Sequence, residues 1–129
     1  MTLSNHHLAD QIVLIAEDEM FIAQDIAFAV QDAGGEVVGP FSTVQEALDH
    51  LGNEPVTAAI LDVNLLDGDI TPVLKSLVEL ERPVVVNTGT VRPWEMEGEF
   101  PSVPIFSKPT DPEILIEELT RQIKPQMTT

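Results

Sequence analysis

The stretch AAILDVNLLDG, residues 58–68, passes from a continuous apolar segment directly into a turn. No polar residue interrupts Ala58 to Leu61, which favours a short strand buried on both faces of a sheet. Asp62 follows at once, and the nearby Asp67–Gly68 pair is typical of a turn. The sequence therefore predicts a buried strand over residues 57–61 whose carboxyl end carries an acidic side chain.

Four other short apolar segments flank this strand, and strands and helices alternate along the chain. The predicted strands are residues 12–16, 36–39, 57–61, 84–87 and 103–106, and the predicted helices are residues 20–33, 43–51, 69–80 and 110–124. Residues 90–100 carry at best one short or irregular helix, because their apolar residues have no clear period. Five strand–helix alternations predict one α/β domain with a parallel sheet and helices on both faces.

Local signals set the expected ends of these elements. Pro40 is expected to end the second strand, and Ser42 or Thr43 to cap the following helix. Asp69 is expected to cap the third helix, with Pro72 in its first turn. The last helix is expected to open with a Thr110–Glu113 capping box and to bury a stripe of Ile114, Leu115, Leu119 and Ile123.

Composition excludes several classes of protein. The 129 residues contain 22 acids against 6 bases, so a formal net charge of −16 disfavours binding to nucleic acid or to an anionic membrane. No cysteine is present, which excludes disulfides and thiolate metal sites. No apolar run approaches the roughly 20 residues of a membrane span, and the N-terminus lacks the pattern of a signal peptide. We expect a cytoplasmic domain over residues 11–124, with flexible tails at residues 1–10 and 125–129.

Polar residues with potential chemistry follow four of the five predicted strands. Glu17 and Asp18 follow the first, Asp62 the third, Thr88 the fourth and Lys108 the fifth. In an open parallel sheet, these carboxyl ends form the ligand site. Converging carboxylates repel one another, and a divalent cation such as Mg²⁺ or Mn²⁺ relieves that repulsion. Asp62 beside such an ion, a lysine and a hydroxyl predicts a site for a phosphoryl group.

Each of these residues alone has an ordinary structural explanation. Glu17 and Asp18 could be acids that favour a helix N-terminus, and Asp62 could simply begin a loop. Lys108 could be a surface lysine and Thr88 a turn residue. Their joint placement at the ends of four strands, in this order, is what favours the functional interpretation.

Four motifs in order, VLIAEDE, AAILDVNLLDG, VVVNTG and IFSKPTDPEIL, resemble those of the receiver domains of two-component response regulators. The resemblance covers residues 11–124 and implies a flavodoxin-like (βα)₅ fold with a doubly wound, five-stranded parallel sheet. It implies Asp62 as the phosphoacceptor for a histidine kinase or histidine phosphotransfer protein, and Thr88 and Lys108 as the switch hydroxyl and the phosphate-binding lysine. Asp18, Glu17, Asp62 and the backbone carbonyl of Asn64 would bind Mg²⁺, and Lys108–Pro109 would be a cis peptide.

The resemblance further implies a stand-alone receiver that catalyses its own phosphorylation and dephosphorylation and does not act as an enzyme on an external substrate. Such a protein would signal by a conformational switch or take part in a phosphorelay, with a downstream protein as target. Two alternatives remain: a phosphorylation-independent interaction module and a Mg²⁺-dependent aspartyl-phosphate phosphatase. The phosphatase alternative is weakened because Asn64 stands where such enzymes have a second acid.

Three positions depart from the receiver pattern. Glu17 stands where aspartate is commoner, and Ile105 stands where many receivers have an aromatic three residues before the lysine. Phe106 is adjacent, but one residue along a strand points to the opposite face. Thr90 stands where some single-domain receivers have an aromatic, and the nearby Trp94 could contact a partner or cover the edge of the core. Phe21 and Phe28, seven residues apart on the first predicted helix, could form a partner or homodimer surface or could pack partly into the core at the ends of the helix.

Overall fold

Strands and helices alternate through the computed structural model, which describes residues 7–89 and 98–127. The strands of these residues are β1 (Ile12–Ala16), β2 (Glu36–Phe41), β3 (Ala58–Leu61), β4 (Asn64–Leu65), β5 (Gly68–Asp69), β6 (Val84–Thr88) and β7 (Ile105–Ser107). The helices are α1 (Met20–Asp32), α2 (Val44–Asn53), α3 (Thr71–Glu79) and α4 (Pro112–Met127). The predicted short helix within residues 90–100, with Thr90 and Trp94, lies largely outside the described residues.

Five strands form one parallel sheet in the order β2-β1-β3-β6-β7. The strand order places β3 at the centre between β1 and β6, which explains why these three strands are buried on both faces. This sheet, with helices on both faces, confirms the predicted flavodoxin-like α/β fold. The described part of the chain contains no helix long and apolar enough to cross a bilayer.

Alternate residues of each strand contribute to two separate hydrophobic cores. Leu14, Leu61 and Val86 face the layer of α2 and α3, and Val13 and Val85 face the layer of α1 and α4. Leu8 joins the α1–α4 core: it is fully buried, and its backbone N–H donates to Ala33 O at 2.9 Å. Packed structure therefore begins at least three residues before the predicted domain start at residue 11.

Pro40 does not end β2, contrary to the prediction. The strand continues to Phe41 because β2 is an edge strand, where a proline removes no essential ladder hydrogen bond. Gly39 has φ +93°, and a Cβ at this position would lie 2.8 Å from Ile15 O. A register shift between Leu14 and Ala16 accommodates this irregularity and aligns Ala16 with Phe41. The end of β2 is thereby held beside the end of β1.

The observed N-terminal cap of α2 is the predicted one, whereas that of α4 differs from the prediction. Thr43 caps α2 by accepting a hydrogen bond from the Glu46 N–H at 3.1 Å, as predicted. The predicted Thr110–Glu113 capping box is wrong, because Asp111 Oδ1 accepts from the Glu113 N–H at 2.9 Å. The phase of the buried stripe of α4 also differs: Ile114 is 46% exposed, and Ile116 is buried with Leu115, Leu119 and Ile123.

The turn after Asp62 forms a small antiparallel hairpin that the sequence analysis did not predict. Its strands β4 and β5 pair Asn64 with Asp69, and the tip of the hairpin reaches the start of α2. There Asp67 accepts hydrogen bonds from the backbone N–H groups of Val44 at 2.6 Å and Gln45 at 3.1 Å. These bonds lower the pKa of Asp67 below its usual 3.8. Asp67 therefore acts as a cap for a helix that lies more than twenty residues earlier in the chain.

Asp67→Ala should lower the melting temperature, because two N–H groups of the first turn of α2 lose their acceptor. Asp67→Asn should lower it less, since the amide retains one acceptor oxygen. The pKa of Asp67 is depressed in the folded chain, so its stabilising effect is present above the unfolded pKa and is lost as the pH falls through the folded pKa. Thermal unfolding of the three proteins across this range measures the effect. If the melting temperature of Asp67→Ala stayed equally far below that of the unchanged protein at low pH, the capping role of the Asp67 carboxylate would be contradicted.

Candidate metal and phosphoryl site

Backbone hydrogen bonds place the ends of the five parallel strands side by side at one edge of the sheet. The Glu17 N–H donates to Phe41 O at 2.9 Å, and the Asp62 N–H donates to Ala16 O at 2.8 Å. The Lys108 N–H donates to Thr88 O, also at 2.8 Å. These bonds extend the parallel ladder past the regular strands, so residues 45 to 91 positions apart in the chain share one site.

The Lys108 ammonium group lies at the centre of this site. Its Nζ is 3.0 Å from Asp62 Oδ2, 3.0 Å from Glu17 Oε1 and 2.7 Å from Glu19 Oε2. The side chains of Lys108, Asp62 and Glu17 are nearly buried, so their contacts are charge-assisted hydrogen bonds in a largely desolvated place, whereas the Glu19 side chain is exposed. One cation therefore offsets part of the charge of three carboxylates.

The carboxylate of Asp62 is held from two sides. Its Oδ1 accepts the Val63 N–H at 2.7 Å, and its Oδ2 accepts from Lys108. The residue is 6% exposed, which explains why a buried strand can end in an acid: both oxygens have a donor. An oriented, partly desolvated carboxylate of this kind is a suitable nucleophile.

A divalent cation fits the surrounding acids. One carboxylate oxygen from each of Glu17, Asp18, Glu19 and Asp62 lies within 4.8 Å of the other three. An all-oxygen, anionic donor set suits Mg²⁺ or Mn²⁺ and not zinc. The structure thus brings together the predicted acids Glu17, Asp18 and Asp62 and adds Glu19. The sequence analysis missed Glu19, although it is the third residue of the acidic run EDE.

Burial dominates the electrostatics of Glu17, which is 4% exposed. Burial, together with repulsion from Asp62, raises the pKa of Glu17 from 4.5 to about 7, against hydrogen bonds from the Glu19 N–H and Lys108. Burial alone would lower the pKa of Lys108, but its hydrogen bonds to Glu19, Asp62 and Glu17 outweigh it and raise that pKa above its usual value. Lys108 is therefore charged at neutral pH, while Glu17 is poised to lose its proton when a cation binds.

The remaining predicted residues flank this cluster. Thr88 is 1% exposed and ends β6, and Asn64 begins the hairpin two residues after Asp62. Lys108–Pro109 is a cis peptide, as predicted. Ile105 packs against the core on the α2–α3 side and Phe106 against the core on the α1–α4 side, which confirms that Phe106 does not replace the missing aromatic.

Comparison with solved structures identifies the fold. The response regulator PhyR from Brucella abortus is 28% identical with a TM-score of 0.77; the match covers 95% of this chain but 52% of PhyR, so the chain spans about half its length. A sensor protein from Polaromonas sp. is 27% identical with a TM-score of 0.73, over 90% of this chain and 98% of that protein. A CheY-like receiver domain protein from Methanospirillum hungatei is 22% identical with a TM-score of 0.79, over 91% and 96% of the two chains.

No protein-family model and no curated protein sequence matches the chain. Many of the solved structures similar to it are response regulator receiver domains, including proteins that consist of a single receiver. Their shared architecture, a five-stranded parallel sheet with helices, is the one described above. The chain therefore has the fold of response regulator receiver domains, as its sequence motifs predict.

Proposed function

We propose that Asp62 accepts a phosphoryl group from a phosphohistidine of a histidine kinase or histidine phosphotransfer protein, and that the chain signals to a downstream protein in this form. The observation that supports this most directly is the contact of Lys108 Nζ with Asp62 Oδ2 at 3.0 Å inside a cluster of acids. A lone lysine could pair with one acid anywhere on the surface. A lysine, a buried acceptor and a cation site at one sheet edge together match the needs of phosphoryl transfer.

In the proposed reaction, an Asp62 oxygen attacks the phosphorus atom while the P–N bond to the donor imidazole breaks. The imidazole leaves as the neutral ring after protonation, and Asp62 becomes an acyl phosphate. Lys108 donates to the transferred group, and Thr88 supplies a hydroxyl from the end of β6. Glu17, Asp18, Asp62 and the Asn64 carbonyl would hold Mg²⁺ or Mn²⁺, and the bound ion would neutralise charge on the phosphoryl oxygens. Hydrolysis of the acyl phosphate in the same site would end the signal.

The conformational change proposed to follow phosphorylation differs from the usual switch of receiver domains. A phosphoryl group adds about −1.5 to −2 charge at neutral pH, so Thr88 and the loop that follows β6 should move toward it. Ile105 occupies the position at which many receivers have an aromatic, and the adjacent Phe106 packs on the other side of the sheet, so neither residue supplies a ring that could follow that movement. This absence is also the one observation that favours the alternative, an interaction module that works without phosphorylation.

Phosphoryl incorporation tests the proposal directly. The protein is incubated with acetyl phosphate or with a phosphorylated histidine kinase, and intact mass is measured in Mg²⁺ and in EDTA. We expect one added phosphoryl group, stable in acid and labile in base, which maps to the peptide containing Asp62 and is absent in EDTA. No incorporation from any donor would favour the interaction module, and label on a different peptide would refute the site.

The raised pKa of Glu17 predicts how the free energy of unfolding of the metal-free protein depends on pH. Because the folded pKa of about 7 exceeds the unfolded 4.5, the contribution of Glu17 is fully present below 4.5 and is lost as the pH rises through about 7. Glu17→Gln should therefore gain stability relative to the unchanged protein as the pH rises over this interval in EDTA. Urea unfolding midpoints of the two proteins, measured between pH 4.5 and about 7, give the difference in stability. The Mg²⁺ affinity of the unchanged protein should rise over the same pH interval. Parallel pH profiles of the two proteins would contradict this prediction.

A further inference from the structure

We propose that the groove between α1 and α4 binds a basic amphipathic helix of a partner protein. No residue that lines this groove belongs to the acid cluster around Asp62. The proposal therefore concerns a separate surface and does not depend on phosphoryl transfer. It is argued from the apolar floor, the charge of the rim and the dimensions of the groove.

The groove has a volume of about 670 Å³, and apolar side chains form part of its floor beside the buried Thr120. Ala29 of α1 and Ile116 of α4 line it, and Phe28 of α1 stands at its side with 70% of its surface exposed. Phe21 lies two turns earlier on the same face of α1 and is 78% exposed. Large exposed aromatic side chains along one line of a helix are typical of a binding surface, because each leaves apolar area in water.

The rim of the groove is strongly acidic. The carboxylates that line it belong to Asp25, Asp32, Asp111, Glu113 and Glu117. Among the described lining residues, Arg121 carries the one permanent positive charge, and it is paired with Glu118. An occupant must therefore combine apolar side chains for the floor with positive side chains for the rim.

Charge complementarity selects the class of occupant. A second copy of this chain would bring another formal charge of −16 to an acidic rim, and an anionic lipid surface would be repelled in the same way. The part of α1 that lines the groove runs from Asp25 to Asp32, a wall about 12 Å long at 1.5 Å per residue. A partner helix of similar length could place apolar residues at i, i+3, i+4 and i+7 against Phe28 and the floor, with lysines and arginines facing both rims.

A synthetic peptide tests the surface. The probe is a fluorescent amphipathic peptide of about 15 residues, the length at which isolated helices become stable, with leucines at helical spacing and lysines elsewhere. Its control is a peptide of the same composition in scrambled order. We expect the amphipathic peptide to bind more tightly than the scrambled one and to become helical on binding. Phe28→Ala should weaken binding about tenfold, and Glu117→Gln should weaken it and reduce its salt dependence.

Two matched variants control for general effects. Leu80→Ala removes a half-exposed apolar side chain on the opposite face of the sheet, and Glu79→Gln removes an exposed acid of α3 on that same face; both should leave peptide binding unchanged. Phe28→Ala should leave labelling by acetyl phosphate unchanged, which separates this proposal from phosphoryl transfer at Asp62. Equal binding of the scrambled peptide, or full affinity in Phe28→Ala, would overturn the proposal. Self-association that Phe28→Ala abolishes would overturn it in favour of a second copy as occupant.

Discussion

Asp62→Asn should abolish incorporation of a phosphoryl group while leaving the fold intact. An amide cannot form the acyl phosphate, and Asp62 is the carboxylate that is held with one oxygen on the Val63 N–H and the other on Lys108. The substitution also removes one negative charge from a crowded site, so repulsion among the remaining acids falls. Intact mass after incubation with acetyl phosphate and Mg²⁺ measures the effect, and circular dichroism checks the fold.

The matched control is Asp49→Asn, which changes an exposed acid on α2 far from the cluster. It should be labelled to the same extent as the unchanged protein. Full labelling of Asp62→Asn would mean that another residue is the acceptor, and the assignment of the site would then be wrong. Loss of labelling in both variants would point to a general effect of charge and would equally contradict the proposed role.

Lys108→Met should produce the second large effect, with two separate consequences. In EDTA the free energy of unfolding should fall by about 2–3 kcal/mol, because partly buried carboxylates lose their shared cation. The rate of phosphoryl transfer should fall by about 100- to 1000-fold, the usual cost of removing one charge-stabilising donor from a reaction site. Methionine keeps most of the length of the side chain, so the result reports mainly on the ammonium group.

Mg²⁺ separates these two consequences. Saturating Mg²⁺ should restore much of the stability of Lys108→Met, since the ion replaces the missing positive charge among the same carboxylates. It should not restore the rate, because the ion cannot occupy the position of the lysine Nζ as well. Lys75→Met, on the exposed face of α3, should change neither property. A full rate in Lys108→Met would limit the lysine to a structural role.

The sequence predicts most of this fold because burial leaves a simple pattern in it. β3 and β1 are apolar on both faces, and the first polar residue after each marks the edge of the sheet at which ligands bind. For that reason Asp62 and Glu17 could be assigned to one site from their positions in the chain alone, and the structure places them around Lys108. The opposite facing of Ile105 and Phe106 follows equally from the two-residue period of a strand.

What the sequence did not predict depends on contacts between distant segments. Pro40 normally ends a strand, but its effect depends on whether the strand lies at an edge, which only the strand order reveals. Ile114 and Ile116 are equally apolar, and the phase of α4 decides which is buried. Glu19 precedes the first helix as an ordinary exposed acid would. It belongs to the site because Lys108 Nζ, from the other end of the chain, lies 2.7 Å from its Oε2.

The hairpin after Asp62 has a mechanical consequence. The loop after Asp62 is attached at one end to β3. At its other end, Asp67 holds the first turn of α2, and the Leu66 N–H donates to Ser42 O just before that helix. A shift of this loop would therefore move that helix end as well, so Asp62, the proposed acceptor, is held in place by an element that carries none of the proposed reacting groups. Substitutions that tilt α2 should therefore change how fast the acid reacts, even though they lie on the far side of the turn.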